Sequence, residues 1–297
     1  MAAKQKLTGS DFVYVGTCYF LLIVGLVIVL YPMLYVLSAS FSSPLYVASG
    51  DMYLFPKGVS LMAYETVFKD QRIMMGYRNS LIYTTLGVMV SLSLTMLGAF
   101  VLSRKEMPGR NLIMGLFIFT MYFSGGLIPT YLVVKGLGMT NTLWVMIIPF
   151  AMSTYNLIIA RTFIQNTIPE SLTEAATIDG CSNTGIFLKI ILPLSKAIIA
   201  VLVIYYGVAQ WNGYFTALIY LSDLNRQPLQ IILRDILVRN DVAEMVDTAE
   251  STSSEFVMLI EVLKYAVAVV ASVPMLILYP VVQKYFTKGV MIGAIKG

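Results

Sequence analysis

The run Gln210-Trp211-Asn212-Gly213-Tyr214-Phe215, with Tyr205 and Tyr206 just upstream, mixes amides and aromatics inside an otherwise apolar stretch. That mixture suits a carbohydrate: aromatic rings face the apolar sides of sugar rings, amides pair with hydroxyls, and pockets combine apolar walls with a few placed polar groups. Aromatic side chains near helix ends also act as interfacial anchors. Gln210 and Asn212 favour a pathway role, with Trp211 and Tyr214 beside them, because an uncompensated amide in lipid is costly.

Acid–base and metal chemistry have little to work with. The chain has no histidine, and its two cysteines, Cys18 and Cys181, lie far apart and form no cluster. The commonest general base and the commonest transition-metal ligands are therefore missing, and no disulfide framework is implied. A membrane-embedded enzyme acting on lipid or glycan, which needs placed acid–base groups or a metal, is the weaker alternative. Glu261 and Lys264 sit i, i+3 on one helix near its end, where they neutralise each other, and Arg78 stands at the start of a span. An ion-driven machine needs intramembrane charges placed otherwise.

The elements that hold these residues follow from composition. Of 297 residues, 58% are hydrophobic and 12% charged, against about 45–50% apolar and about 25% charged in soluble domains. A bilayer core of about 30 Å needs about 20 mostly apolar residues per helical span. Six such runs lie near 12–37, 77–103, 112–134, 142–163, 197–221 and 258–283. The expected fold is an all-α polytopic membrane protein, one transmembrane domain over 1–297. The first run is too long for a signal-peptide core and reads as an uncleaved span. Gly125, Gly126 and Pro129 weaken or bend the third span, and small residues there also allow close helix packing.

Positive charge sets the orientation. One side holds Lys4, Lys6, Arg104, Lys105, Arg110, Arg161, Lys189, Lys196, Lys284, Lys288 and Lys296; the other holds Lys57, Lys69, Arg72, Lys135, Arg226, Arg234 and Arg239. Eleven against seven places both termini and the 164–196 loop in the cytoplasm. The loop 222–257, acidic through Asp241, Glu244, Asp247, Glu250 and Glu255, faces outward.

The cytoplasmic loop is well punctuated. Ser171-Leu172-Thr173-Glu174 has the spacing of a capping box, which starts a helix at Ser171. That helix stops at Gly180, where a left-handed residue suits a helix C-terminus. Ser182 or Asn183 caps a second helix whose apolar face is Ile186, Phe187, Ile190, Ile191 and Leu194, with Pro193 disturbing its far end. Helices this short are marginal alone and need a surface to dock on. That surface is lipid headgroups, the protein's own spans, or another chain.

Glu174-Ala175-Ala176, Gly180, Ile190 and Leu192-Pro193 follow the pattern EAA-x3-G-x9-I-x-LP. This resembles the EAA loop of the permease subunits of ATP-binding-cassette importers. The stretches "FSGGLIPTYLVVKGLGMTNTLW" (123–144), "QWNGYF" (210–215) and "YPVVQKYFTKGVMIGAIKG" (279–297) look like the carbohydrate branch of that family, the maltose-type permeases for complex oligosaccharides. Cys181 stands where alanine is common, and Ala197 where proline is usual.

The resemblance implies that 171–194 forms a coupling helix seated on a cytoplasmic ATPase, with Ser171, Glu174, Ala175, Ala176, Asp179, Gly180, Phe187, Ile190, Leu192 and Pro193 in the contact. It also implies a C-terminal tail, through Lys288, Gly289, Lys296 and Gly297, that reaches toward the ATPase dimer. Implied partners are a second homologous permease, two ATPase subunits, an extracytoplasmic sugar-binding protein, the carbohydrate and membrane lipid; nucleic acid is not among them. The chain has no G-x4-G-K-[ST] pattern, and Ser124-Gly125-Gly126 lies in an apolar run. The expected arrangement has no cofactor on this chain, with ATP and Mg used by the partner ATPase.

Overall fold

The computed structural model describes residues 9–239 and 254–293. Every regular element among them is helical, as a hydrocarbon solvent requires of a chain that must satisfy its backbone internally. The helices are α1 (Gly9–Ser40), α2 (Pro44–Ala48), α3 (Met62–Lys69), α4 (Gln71–Ser103), α5 (Arg110–Tyr122), α6 (Leu127–Gly136) and α7 (Thr154–Thr167). There follow α8 (Glu170–Ile178), α9 (Asn183–Leu194), α10 (Lys196–Trp211), α11 (Tyr214–Tyr220), α12 (Leu229–Arg239) and α13 (Ser254–Gly293).

Among the described residues, three helices are long and apolar enough to cross a membrane singly: α1 over Asp11–Ser40, α4 over Gln71–Ser103, and α13 over Met258–Pro280. Two more qualify only as bent pairs, α5 with α6 at 117° and α9 with α10 at 81°. The first of these bends is the one expected from its glycines and proline. Gly126 sits between α5 and α6 at φ 86°, a backbone setting that glycine tolerates and other residues avoid.

Two expected spans differ. Over 142–163 the chain makes a 3-10 turn at Leu143–Met146 and runs irregularly until α7 begins. Pro149 offers no N–H to a helix, and Ser153 restarts one by accepting from the Asn156 amide at 3.4 Å. The run 197–221 ends as a helix at Trp211 and resumes at Tyr214, with Asn212 and Gly213 in the break. Apolar composition alone does not register either interruption. The 222–257 segment likewise carries helix α12 and the start of α13; Asp241, Glu244, Asp247 and Glu250 lie outside the described residues.

The chain divides into two compact units, 1–70 with 235–270 and 71–234 with 271–297. In the first, hydroxyls at the end of α1 hold the following segment. Ser38 donates to the Leu54 carbonyl at 2.5 Å, Ser42 donates to the Ser38 carbonyl at 2.7 Å, and the Ser40 and Tyr64 hydroxyls bond at 2.7 Å. Burial raises the Tyr64 phenol above its ordinary value, with the Ser40 bond working the other way. Tyr35 meets Tyr265 edge-on at 5.8 Å, and Lys264 pairs with Glu261 at 2.9 Å.

In the second unit α4 packs along α7 and α10. Phe100, Leu157, Ile164, Phe187, Ile191 and Leu202 belong to the buried core there, which joins α4, α7, α9 and α10. Thr95 and Tyr206 bond through their hydroxyls at 2.6 Å inside it. At the other end of α4, Asn79 donates to the Asn225 and Gln227 carbonyls, and Tyr83 donates to the Arg226 carbonyl at 2.8 Å.

Candidate functional site

The EAA pattern folds as α8, a glycine turn and α9. Its start differs from the capping-box expectation: the N-cap is Pro169, at φ −60° and ψ 134°, and no side chain caps the helix. A residue before proline is pushed out of the helical region, so Ile168 turns extended and ends α7, and Pro169 leads straight into α8. Ser171 and Glu174 therefore both lie inside the helix and exposed, too far along to cap it. The first-turn acid is Glu170, favourably placed against the helix dipole and 2.5 Å from Lys105.

The end of α8 behaves as expected. Gly180 adopts φ 77°, the Cys181 amide donates to the Ala176 carbonyl at 2.9 Å and the Gly180 amide to the Thr177 carbonyl at 3.0 Å. This pair of bonds is a Schellman motif, and Ala176 and Cys181 pack together against the core below it. Ser182, not Asn183, caps α9, accepting from the Gly185 amide at 3.2 Å.

Within α9, residues Phe187–Ile191 are π-helical. Pro193 follows, with no N–H to donate and a ring that crowds the preceding turn; local π widening is one way a helix accommodates that. The added residue rotates the register. Ile186, Phe187 and Ile191 are buried and Ile190 and Leu192 half-buried, while Leu194 is 49% exposed and Ser195 takes the buried place expected for it.

The outer surface of this loop gathers Glu174, Ala175, Asp179 and Gly180, all exposed, around Ile178 at 87% exposure, with Leu172 and Leu188 also exposed. It presents carboxylates interleaved with aliphatic side chains. Lys288 and Gly289 lie within α13 rather than in a tail beyond it, and Lys296 and Gly297 lie outside the described residues.

A groove of about 640 Å³ opens between α7 and α10, lined among others by Phe150, Ser153, Asn156, Tyr205, Tyr206 and Gln210. Gly87 of α4 makes room for the Gln210 side chain: a Cβ there would fall 2.5 Å from Nε2. Of the four expected pathway residues, only Gln210 lines the groove. Trp211 is buried, donating from Nε1 to the Ala271 carbonyl at 3.0 Å and standing edge-on to Tyr77 at 5.7 Å. Asn212 and Tyr214 are exposed at the helix break. Sequence reasoning misses Ser153 and Asn156; the available signal is an amide inside a run that otherwise reads as apolar, and Asn156 is only 6% exposed. The groove offers aromatic faces, an amide pair and hydroxyls, and no charged side chain among its lining.

Residues 73–292 match the family model described as "Binding-protein-dependent transport system inner membrane component". The chain is 41% identical over 274 residues to Protein LplC of Bacillus subtilis (strain 168), covering 92% of this chain and 91% of that protein. It is 43% identical over 283 residues to the polygalacturonan/rhamnogalacturonan transport system permease protein YtcP of the same organism, covering 94% of this chain and 96% of that one. Its fold is similar to a chain in the crystal structure of a bacterial ABC transporter involved in the import of the acidic polysaccharide alginate, with a TM-score of 0.86 and 31% identity, covering 95% of this chain and 100% of that one.

Proposed function

The chain belongs to the binding-protein-dependent transport system inner membrane components, and from that premise we propose that it is the membrane-spanning permease subunit of an ATP-driven importer for an oligosaccharide. The observation that carries the coupling part is the α8–α9 loop: a firmly built turn whose outward face holds Ile178 at 87% exposure beside Glu174 and Asp179. An aliphatic side chain so placed, on a helix too short to be stable alone, calls for a partner surface. The partner in this reading is a cytoplasmic ATPase, which alone uses ATP and Mg.

The oligosaccharide part is supported by the groove, where Tyr205, Tyr206, Asn156 and Gln210 offer ring faces and amides, and by a relative named for polygalacturonan and rhamnogalacturonan transport. A second permease completes the pathway, two ATPase subunits drive it, and an extracytoplasmic binding protein delivers cargo. In this cycle the spans number six with both termini cytoplasmic. ATP binding closes the ATPase pair, α8 and α9 move with it, and the lever passes through the α9–α10 bend to the groove lining on α10. Release of hydrolysis products resets the spans.

Co-purification of the chain with its partners, followed by a screen of glycans for stimulation of ATP hydrolysis, tests the reading. One class of oligosaccharide should raise hydrolysis in the presence of the binding protein. Catalytic turnover of a lipid or glycan by the chain alone would instead support a membrane enzyme.

A further inference from the structure

Two arginines line a second cavity, of about 220 Å³, that the transport groove does not share. Arg104 and Lys105 enter it from the turn just beyond α4, Arg110 from the start of α5, and Glu170 and Thr173 from the first turns of α8. Nη1 of Arg104 and Nη1 of Arg110 are both buried with no hydrogen-bond partner. The rest of the cluster is engaged: Arg104 Nη2 pairs with Glu106 at 2.7 Å, its guanidinium lies over the Phe100 ring at 5.8 Å, and Lys105 pairs with Glu170. Three cations against Glu106 and Glu170 leave one positive charge uncompensated in the lining.

A buried guanidinium nitrogen without a partner is unfavourable, and an anion accepting from both arginines removes the penalty through charge-assisted bonds. The cavity has room for a phosphate group. Its position selects the source. It lies at the end of a long apolar helix, and the surface leading back from Arg104 along α4 is apolar and open, with Val101 43% and Leu97 46% exposed four residues apart on one face. Basic pockets between helices at a membrane surface are where lipid head groups bind. A further cavity of about 280 Å³ shares Phe100, Arg104 and Glu106 and adds Val101 and Met107 to the apolar surroundings.

We propose that Arg104 and Arg110 hold the phosphate of an anionic phospholipid, whose acyl chains lie along Val101 and Leu97 of α4. The assignment rests on the permease reading only in placing this end of α4 at the membrane surface. Because Glu170 and Thr173 of α8 line the same cavity, the bound head group buttresses the base of the coupling loop.

The test uses the assembled transporter in nanodiscs of phosphatidylcholine alone or with phosphatidylglycerol, reading retained lipid by native mass spectrometry and thermal stability in parallel. Wild type should retain phosphatidylglycerol and gain stability from it, with no equal gain from inorganic phosphate. Arg104→Gln and Arg110→Gln should each weaken retention by about tenfold, the equivalent of one lost charge-assisted bond, and Arg110→Lys should lose less. Equal retention in both glutamine variants, or equal protection by inorganic phosphate, would overturn the lipid assignment. If either variant fails to assemble, the wild-type comparison of the two lipids with inorganic phosphate decides alone. Lipid retention is read without transport, so its failure leaves the permease assignment standing.

Discussion

Lys105 Nζ lies 2.5 Å from a Glu170 carboxylate oxygen, 65 residues away, and ties the chain just beyond α4 to the first turn of α8. Both side chains are substantially exposed, at 70% and 48%, so the pair adds no more than about 1 kcal/mol to stability. Its consequence is positional. Lys105→Glu and Glu170→Lys should each leave membrane insertion and melting temperature nearly unchanged while lowering glycan-stimulated hydrolysis. The double exchange should recover most of the loss. No recovery in the double variant would show that the pair does not position α8.

Trp211 gives a stability test. Trp211→Phe keeps most of the ring but leaves the Ala271 carbonyl without its donor, which costs about 1–3 kcal/mol for a buried acceptor. A thermal-unfolding measurement should show that loss, with residual transport reduced in proportion to the folded fraction. A selective change in glycan preference at full stability would return Trp211 to the pathway.

The transmembrane class, the third-span bend and the Gly180 turn were legible in the sequence, since each rests on local chemistry: long apolar runs, Gly125-Gly126 with Pro129, and a glycine closing a short helix. What escaped depended on context. Ser171 and Glu174 have capping-box spacing, but Pro169 sets the helix start before they can act. Leu194 fits the apolar face of an ideal helix, but the π-helical turn ahead of Pro193 hands its place to Ser195. Trp211 and Gln210 are adjacent in sequence, yet helix geometry sends one into packing and the other into the groove. Asn156 was hidden in a run whose average hydropathy outweighed one amide.

The groove should govern sugar affinity without touching the ATPase contact. Gln210→Ala and Tyr205→Ala should raise the glycan concentration needed for half-maximal stimulation by about fivefold to tenfold, the scale of one lost hydrogen bond or stacking contact. Gly87→Val, which drives a branched side chain into Gln210, should act in the same direction. Unchanged concentration dependence in all three would remove the groove from the pathway.

Cys181 and Cys18 are both free thiols, and Cys181 is partly exposed beside the glycine turn. With Cys18 replaced by serine, a membrane-impermeant thiol reagent should label Cys181 in inverted vesicles and not in intact cells. Labelling from outside would reverse the orientation.

The coupling role of the α8–α9 loop is tested most directly by counting ATPase subunits bound per permease, together with sugar uptake, in Glu174→Gln and Gly180→Val. Glu174 caps nothing, so its neutralisation reports on charge at the outer surface. A Cβ on Gly180 would meet nothing within 4 Å, but the residue holds φ 77°, so valine there meets backbone strain of about 1–3 kcal/mol without a clash and reorients α9. Both variants should insert and pair with the second permease, yet bind fewer ATPase subunits and lose sugar-coupled hydrolysis. Full ATPase binding and full uptake in both would contradict the assignment of this loop as the coupling element.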